Sequence, residues 1–198
     1  MTLATGMELT PLDGQRFRFD AGTLCLELLV TGGEGELSKW ERLHTPGDLA
    51  AWIPHSRAGL GDLVRVSPGD FAAALRLRAA VQRLAATAAT GSRAFSGDDL
   101  ATLNEAAAAP PPVPVIGPAL ERGWAFPVTG AQFLSAVARD AIEVFGGPAL
   151  DRIRMCGGER CYLLFLDTSR PGARRWCSMD RCGNRHKLRT RRDRHPAG

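Results

Sequence analysis

The sequence predicts an α+β protein, in which a mainly helical N-terminal domain with a few short strands precedes a small C-terminal module of one β-hairpin and one helix. Long stretches with apolar residues at helical spacing, bounded by capping residues, predict the helices. Shorter alternating or apolar stretches between them predict the strands. Charge and cysteine content both change in the last quarter of the chain. We therefore expect one domain at residues 1–150 and a second at 152–198.

The composition excludes several classes of protein. The chain has 198 residues, of which 44% are hydrophobic and 23% charged, which disfavours a wholly disordered chain. No apolar run reaches the roughly 20 residues of a membrane-spanning helix. The first residues, MTLATGMELTP, lack the basic and then apolar layout of a secretory signal. We expect a cytoplasmic protein without a membrane segment.

Four stretches of the N-terminal domain predict capped helices. Thr45 and Pro46 begin a short helix that stops near Pro54, and Ser67 with Pro68 begins the longest one, at 68–89. Ser96 begins another, which ends before Pro110. Thr129 and Gln132 have the spacing of a capping box and begin a helix that ends at Gly146.

The strands are predicted from shorter stretches. Residues 16–31 alternate and then run apolar, which indicates a strand or hairpin that carries Cys25 as a small buried hydrophobe. Residues 110–118 contain too many prolines for a regular strand and predict a linker or an irregular edge strand. Residues 124–128 predict a short strand.

No catalytic constellation is present in the N-terminal domain. Gly33-Glu34-Gly35 lacks the third glycine of a dinucleotide loop, and no Gly-Lys-Ser/Thr follows it. His44 and His55 are not at helical spacing, so surface or capping roles are favoured. We expect no enzymatic activity.

The charge is divided between the two parts of the chain. Residues 1–151 carry a net charge of −5, whereas residues 152–198 carry +9. An acidic body with a basic tail indicates that the second part faces a polyanion.

The tail also contains two cysteine pairs. Four residues separate Cys156 from Cys161, four separate Cys177 from Cys182, and fifteen lie between the pairs. Reduced cysteines at this spacing in a cytoplasmic protein favour a structural zinc site, with no open position for a catalytic water. The alternative is a set of unliganded cysteines or a redox pair. We expect Gly157 and Gly158 to let the first pair turn tightly.

The surrounding residues predict the rest of the module. Residues 161–167 and 174–177 predict the two strands of a hairpin, and Ser178 is placed to cap a helix with Cys182 in its first turn. We expect Phe165 and Trp176 to form the small core of the module rather than to stack on bases, and Asp167 to be structural.

Basic side chains on the predicted final helix indicate nucleic-acid binding. Guanidinium groups suit phosphates and guanine edges. The alternative is a solvated basic tail, or one that folds against the acidic body. The helix carries four arginines at spacings of 4, 4 and 3, which places them on one face: Arg181, Arg185, Arg189 and Arg192. Lys187 widens this basic patch, and Arg174 and Arg175 lie on the predicted hairpin.

These motifs together resemble the CGNR zinc finger. The similarity covers about 152–192: Cys156-x4-Cys161, FLDTSR (165–170), RRWCSM (174–179) and Cys182-Gly183-Asn184-Arg185. In that family the finger follows an ABATE domain, described as a stress-induced transcription regulator of bacteria. The resemblance implies that Cys156, Cys161, Cys177 and Cys182 hold zinc and that Gly183, Asn184 and Arg185 are the family signature. We hypothesise that Gly183 allows close packing, that Asn184 bonds nearby backbone, and that Arg185 reaches phosphate or base.

The N-terminal domain resembles the ABATE domain at four stretches, which are LCLELLVT (24–31), TPGDLAAW (45–52), LRLRAAV (75–81) and ARDAIEVF (138–145). One departure is Val30-Thr31, where the family often has Asn-Thr. The resulting hypothesis is a DNA-binding transcription regulator whose N-terminal domain senses a small molecule or protein, with a homodimer as a further expectation. The alternatives are a protein-interaction module and, with few aromatics available for stacking, an RNA binder.

Overall fold

The structure is a computed structural model that describes residues 6–10 and 14–194, without the side chains of Leu63 and 192–194. The α-helices are α1 (Leu24–Glu27), α2 (Pro46–Trp52), α3 (Pro68–Ala89), α4 (Gly97–Ala108), α5 (Gly130–Phe145) and α6 (Asn184–Arg194). The strands are β1 (Met7–Leu9), β2 (Phe17–Phe19), β3 (Val64–Arg65), β4 (Pro114–Ile116), β5 (Arg122–Trp124), β6 (Val128–Thr129), β7 (Ile153–Met155) and β8 (Leu164–Leu166).

The predicted fold class is confirmed: helices dominate, and the strands are short. Three pairs are antiparallel, β1 with β2, β4 with β5 and β7 with β8, whereas β3 and β6 are parallel. Within the described ranges, no helix is both long and apolar enough to cross a membrane.

Capping boxes begin three of the helices. The hydroxyls of Thr45, Ser67 and Thr129 each accept a hydrogen bond from the amide three residues later, and the side chain of that residue accepts one in return. These contacts satisfy amides that a helix start leaves without partners. These three predicted helix starts are therefore confirmed, and the fourth, Ser96, begins α4 without a side-chain cap bond. Helix α3 has the predicted bounds.

The prediction of a strand or hairpin over residues 16–31 is only partly confirmed: Phe17–Phe19 forms β2, but residues 24–31 form no strand. This stretch forms α1 and then a 3-10 turn, Leu28–Thr31. Thr23 Oγ1 and the Cys25 amide donate to Asp140 Oδ2 at 2.6 and 2.8 Å, which fixes the helix start. The run is buried on nearly every side, and an apolar run of this length does not distinguish a buried strand from a buried helix. Cys25 is fully buried, but on a helix.

One hydrophobic core extends through both parts of the chain. Helix α3 lies at its centre, where Leu77, Val81 and Leu84 are buried, and packs against α4, α5 and β7. Ile153 of β7 and Phe165 of β8 are fully buried in the same core. The β7–β8 hairpin therefore rests on the N-terminal helices.

Polar contacts also join the hairpin to the N-terminal segment. The Leu166 amide donates to the Ala21 carbonyl at 2.9 Å. A Cβ atom at Gly22 would lie 2.5 Å from the Leu166 carbonyl oxygen, and Gly22 has a φ of +84°. Only glycine fits this close approach of the two backbones without strain.

Candidate metal centre and nucleic-acid interface

The structure brings the four tail cysteines together. Their sulfurs all lie within 4.8 Å of one another, with Cys161 and Cys177 at 3.8 Å and Cys177 and Cys182 at 3.5 Å. Zn–S bonds of about 2.3 Å place the sulfurs of a tetrahedral site roughly 3.8 Å apart. The cluster therefore has the dimensions of a four-thiolate zinc site, which has no open position for a catalytic water.

The electrostatics of the cluster favour a cation. The contacts of the other three sulfurs with Cys156 lower the pKa of that thiol, and the corresponding contacts raise the pKa of Cys177. Four thiolates repel one another at this distance, so they cannot all ionise unless a cation lies between them. The amides of Cys177 and Gly158 donate to Cys156 Sγ at 3.2 and 3.5 Å and stabilise its thiolate form.

Gly158 allows the two cysteine pairs to approach each other. A Cβ atom at this position would lie 2.6 Å from Cys182 Sγ and 3.3 Å from Cys161 Cβ. A side chain there would push apart two of the sulfurs that must converge on the ion. The neighbouring Gly157 is less crowded, since the nearest atom to its Cβ position is a ring carbon of Trp176 at 3.3 Å.

The predicted pairing of residues 161–167 with residues 174–177 in a hairpin is wrong. Strand β8 pairs with β7, which precedes Cys156, and residues 174–177 form no strand. Asp167 is buried and accepts hydrogen bonds from the amides of Ser169 and Arg174 at 2.9 and 2.8 Å, which turns the chain away from the sheet. Asp167 is therefore structural.

The last helix begins as the sequence predicts. The Ser178 hydroxyl accepts a hydrogen bond from the Asp180 amide at 3.2 Å. The first turn, Met179–Gly183, is a wide π-turn in which the Gly183 amide donates to the Ser178 carbonyl at 3.1 Å. Cys182 lies in this turn, and α6 continues directly from it.

The residues of the predicted basic face differ in exposure. Arg185, Lys187 and Arg189 are exposed on α6. Arg181 is half-buried, with its guanidinium carbon 4.7 Å from the centre of the Phe17 ring. The backbone of Arg192 lies in α6, but its side chain is outside the described residues.

The two predicted arginines before the helix differ in role. Arg174 donates to the carbonyls of Trp176, Asp20 and Cys177 at 3.0, 2.9 and 2.7 Å, and its guanidinium carbon lies 4.1 Å from the centre of the Phe165 ring. These contacts hold Arg174 against the metal-binding segment and the N-terminal segment, and its contact with nucleic acid stays a prediction. Arg175 is exposed.

The other signature residues lie close to the metal centre. Gly183 is buried, and a Cβ atom there would lie 2.8 Å from the end of the Met179 side chain. Asn184 Nδ2 donates to the Asp180 carbonyl at 3.5 Å.

The two aromatic residues predicted as the small core of the module pack differently. Phe165 is fully buried, and Trp176 packs on His186 with ring centres 4.8 Å apart.

A cleft of about 880 Å³, which we call the basic cleft, separates the metal-binding segment from the N-terminal segment. Sequence reasoning missed it, because its walls are distant in the chain. Cys161 and Cys182 line one side of it. The apolar and aromatic lining residues include Phe17, Leu29, Val30, Trp40, Tyr162 and Trp176. The basic lining residues are Lys39, Arg42, Arg160, Arg181, Arg185 and Arg189.

Comparisons with known proteins agree with this architecture. Residues 22–148 match the ABATE family, described as "Putative stress-induced transcription regulator". Residues 152–195 match the CGNR zinc finger. No curated protein matches the chain. Because the first match covers more than half of the residues, the protein belongs to the ABATE family, and its tail is a CGNR zinc finger whose four clustered cysteines provide a site for one zinc ion.

Proposed function

We propose that the protein is a cytoplasmic, bacterial, stress-responsive transcription regulator that binds DNA through its zinc-stabilised tail. In this proposal residues 1–150 form the regulatory domain, and residues 152–198 form the finger. The observation that carries it is the exposed basic surface of α6, a helix that starts at the metal centre. Arg185 and Arg189 lie one turn apart on one face of this helix, and Lys187 lies on the opposite side. Zinc would hold the helix start, and the guanidinium and ammonium groups would contact phosphates and base edges.

The regulator family and the separation of charge support DNA as the partner. Residues 152–198 carry a net charge of +9, which suits a polyanion. Residues 1–151 carry a net charge of −5, which disfavours nonspecific binding of DNA to the rest of the surface. Neither family description names an enzymatic activity. A single finger has a small footprint, so we expect a homodimer to supply the remaining specificity.

The first experiment selects genomic DNA fragments with the zinc-loaded, full-length protein near physiological salt, with a chelated sample as control. A shared sequence motif that is lost on chelation is the expected result. Fragments without a motif, or no retained fragments, would contradict the proposal and favour a protein-interaction module. Retention of RNA in preference to duplex DNA would favour an RNA binder.

A variant series then identifies the contact surface. Lys187→Ala is expected to weaken binding and to reduce the slope of log affinity against log salt by about 1, because one phosphate contact is lost. Arg76→Ala is the matched control, since Arg76 is exposed on α3 in the other part of the chain. Equal salt slopes for the two variants would remove Lys187 from the interface.

A further inference from the structure

We infer that the basic cleft is a binding site for a small organic anion with a flat apolar part, and that this ligand regulates the finger. The cleft lies outside the cysteine cluster, although it borders it. Its regulatory role rests on the proposed DNA binding, whereas the binding of the ligand does not.

The size of the cleft sets the class of ligand. A volume of about 880 Å³ is within the range of roughly 300–1,000 Å³ typical of small-molecule sites. An inorganic phosphate would leave most of this space unfilled. The cleft therefore fits a molecule of the size of a cofactor or metabolite.

The charge of the lining sets the sign of the ligand. Six Lys or Arg residues line the cleft, and the acidic lining residue, Glu159, is ion-paired with Arg189 of the same wall. Lys39 is also paired with an acid, Glu36, at 3.0 Å, but that pair is on the surface, where such contacts contribute little. The excess of positive charge favours a carboxylate, phosphate or sulfonate group.

Aromatic rings on both walls set the shape of the ligand. Phe17 and Trp40 come from the N-terminal segment, and Tyr162 and Trp176 come from the finger. Half-buried Trp40 and Trp176 offer flat apolar surface next to the cationic groups. A planar ring or a long apolar group would bury its area against these side chains while its anionic end meets the arginines.

The position of the cleft connects it to the proposed DNA surface. Arg185 and Arg189 line the cleft and are also exposed basic residues of α6, one helical turn apart. A guanidinium that binds an anionic ligand is not available to a DNA phosphate. The ligand is therefore expected to lower DNA affinity, and DNA to lower ligand affinity by the same factor.

The test uses two fluorescent probes and the zinc-loaded, full-length protein. Anilinonaphthalene sulfonate combines a flat, apolar naphthalene ring with one negatively charged sulfonate group. Phenylnaphthylamine has the same rings without the sulfonate. We expect the sulfonate to bind more tightly. Lys39→Glu and Arg42→Glu, both exposed positions on the wall opposite α6, should each weaken sulfonate binding about three- to fivefold and leave phenylnaphthylamine binding unchanged. Arg76→Glu is the matched control for charge reversal.

The outcomes separate this inference from the proposed function. Equal affinity for the two probes, or equal sulfonate affinity in all three variants, would overturn the anion site. Displacement of the sulfonate by single-stranded DNA in preference to organic anions would also overturn it, because the cleft would then be a nucleic-acid channel. If the sulfonate binds as expected but no DNA is bound, the cleft assignment stands and the DNA-binding proposal falls. If both bind, the sulfonate should raise the protein concentration needed for half-saturation of DNA, and less so in Arg42→Glu.

Discussion

Single residues decide whether the metal centre can form. The backbone conformation of Gly158 is one that other amino acids can adopt, but a Cβ atom there would lie 2.6 Å from Cys182 Sγ. The requirement for glycine at this position is therefore steric and arises from a residue 24 positions further along the chain. The sequence suggests tight turning at Gly157-Gly158, but it does not distinguish the roles of the two glycines.

Gly158→Ala is expected to lower zinc affinity by about 10- to 100-fold, because the added methyl group displaces a ligand. Competition with a chromogenic chelator measures this change. Gly157→Ala is the matched control, since its methyl group would lie 3.3 Å from a ring carbon of Trp176 and meet no cysteine sulfur. Equal affinities for the two variants would show that crowding at Gly158 does not control the site.

Other residues take roles that the sequence does not reveal. Arg78 lies on the longest helix with only 5% of its surface exposed, and it donates to Glu41 Oε1 at 2.8 Å and to Thr31 Oγ1 at 3.0 Å. Burial raises the pKa of Glu41, but the hydrogen bonds from Arg78 and from nearby amides outweigh it and hold that pKa below its usual value. A helical pattern places an arginine on a face, but it does not identify a partner 37 residues away.

At the scale of elements, local chemistry predicts where helices start. Capping residues act within three or four positions, so Thr45, Ser67 and Thr129 could be read from the sequence alone. Residues 24–31 could not, because their helix depends on Asp140, which is distant in the chain. The pairing of β8 with β7 could not be read either, because apolar alternation does not specify a partner strand.

The value of one capping contact can be measured directly. Ser67→Ala is expected to lower the free energy of unfolding by about 1 kcal/mol, because the Asp70 amide loses its hydroxyl partner at the start of α3. Urea unfolding monitored by circular dichroism gives this value. Ser96→Ala changes a helix start that has no side-chain cap bond, so it should lower the free energy of unfolding by only a few tenths of a kcal/mol. Similar losses for both variants would contradict the role of the Ser67 cap.

At the scale of the whole molecule, the finger and the N-terminal helices share one core. The sequence predicts the cysteine cluster and the helical body separately, since each has its own pattern. It does not predict that Ile153 and Phe165 are buried with α3, or that the cleft between the two parts has a basic lining. Both features depend on contacts between distant parts of the chain.

Removal of zinc is therefore expected to destabilise the helices as well as the finger. A loss of roughly 3 kcal/mol or more would lower the melting temperature by about 10 °C in a chain of this size. Circular dichroism with and without chelator reports mainly on α3, α4 and α5. The expected result is a single transition that moves to lower temperature on chelation. A helical transition unaffected by chelation, with a separate loss of the finger, would show two independent units.

The burial of Phe165 beside Arg174, between the metal centre and the helices, has a consequence for turnover. Proteases degrade chains according to the fraction that opens. A newly made chain that has not acquired its ion would leave this junction loosely packed and would be degraded early. The number of copies in the cell would then follow the supply of zinc, in addition to any control of synthesis.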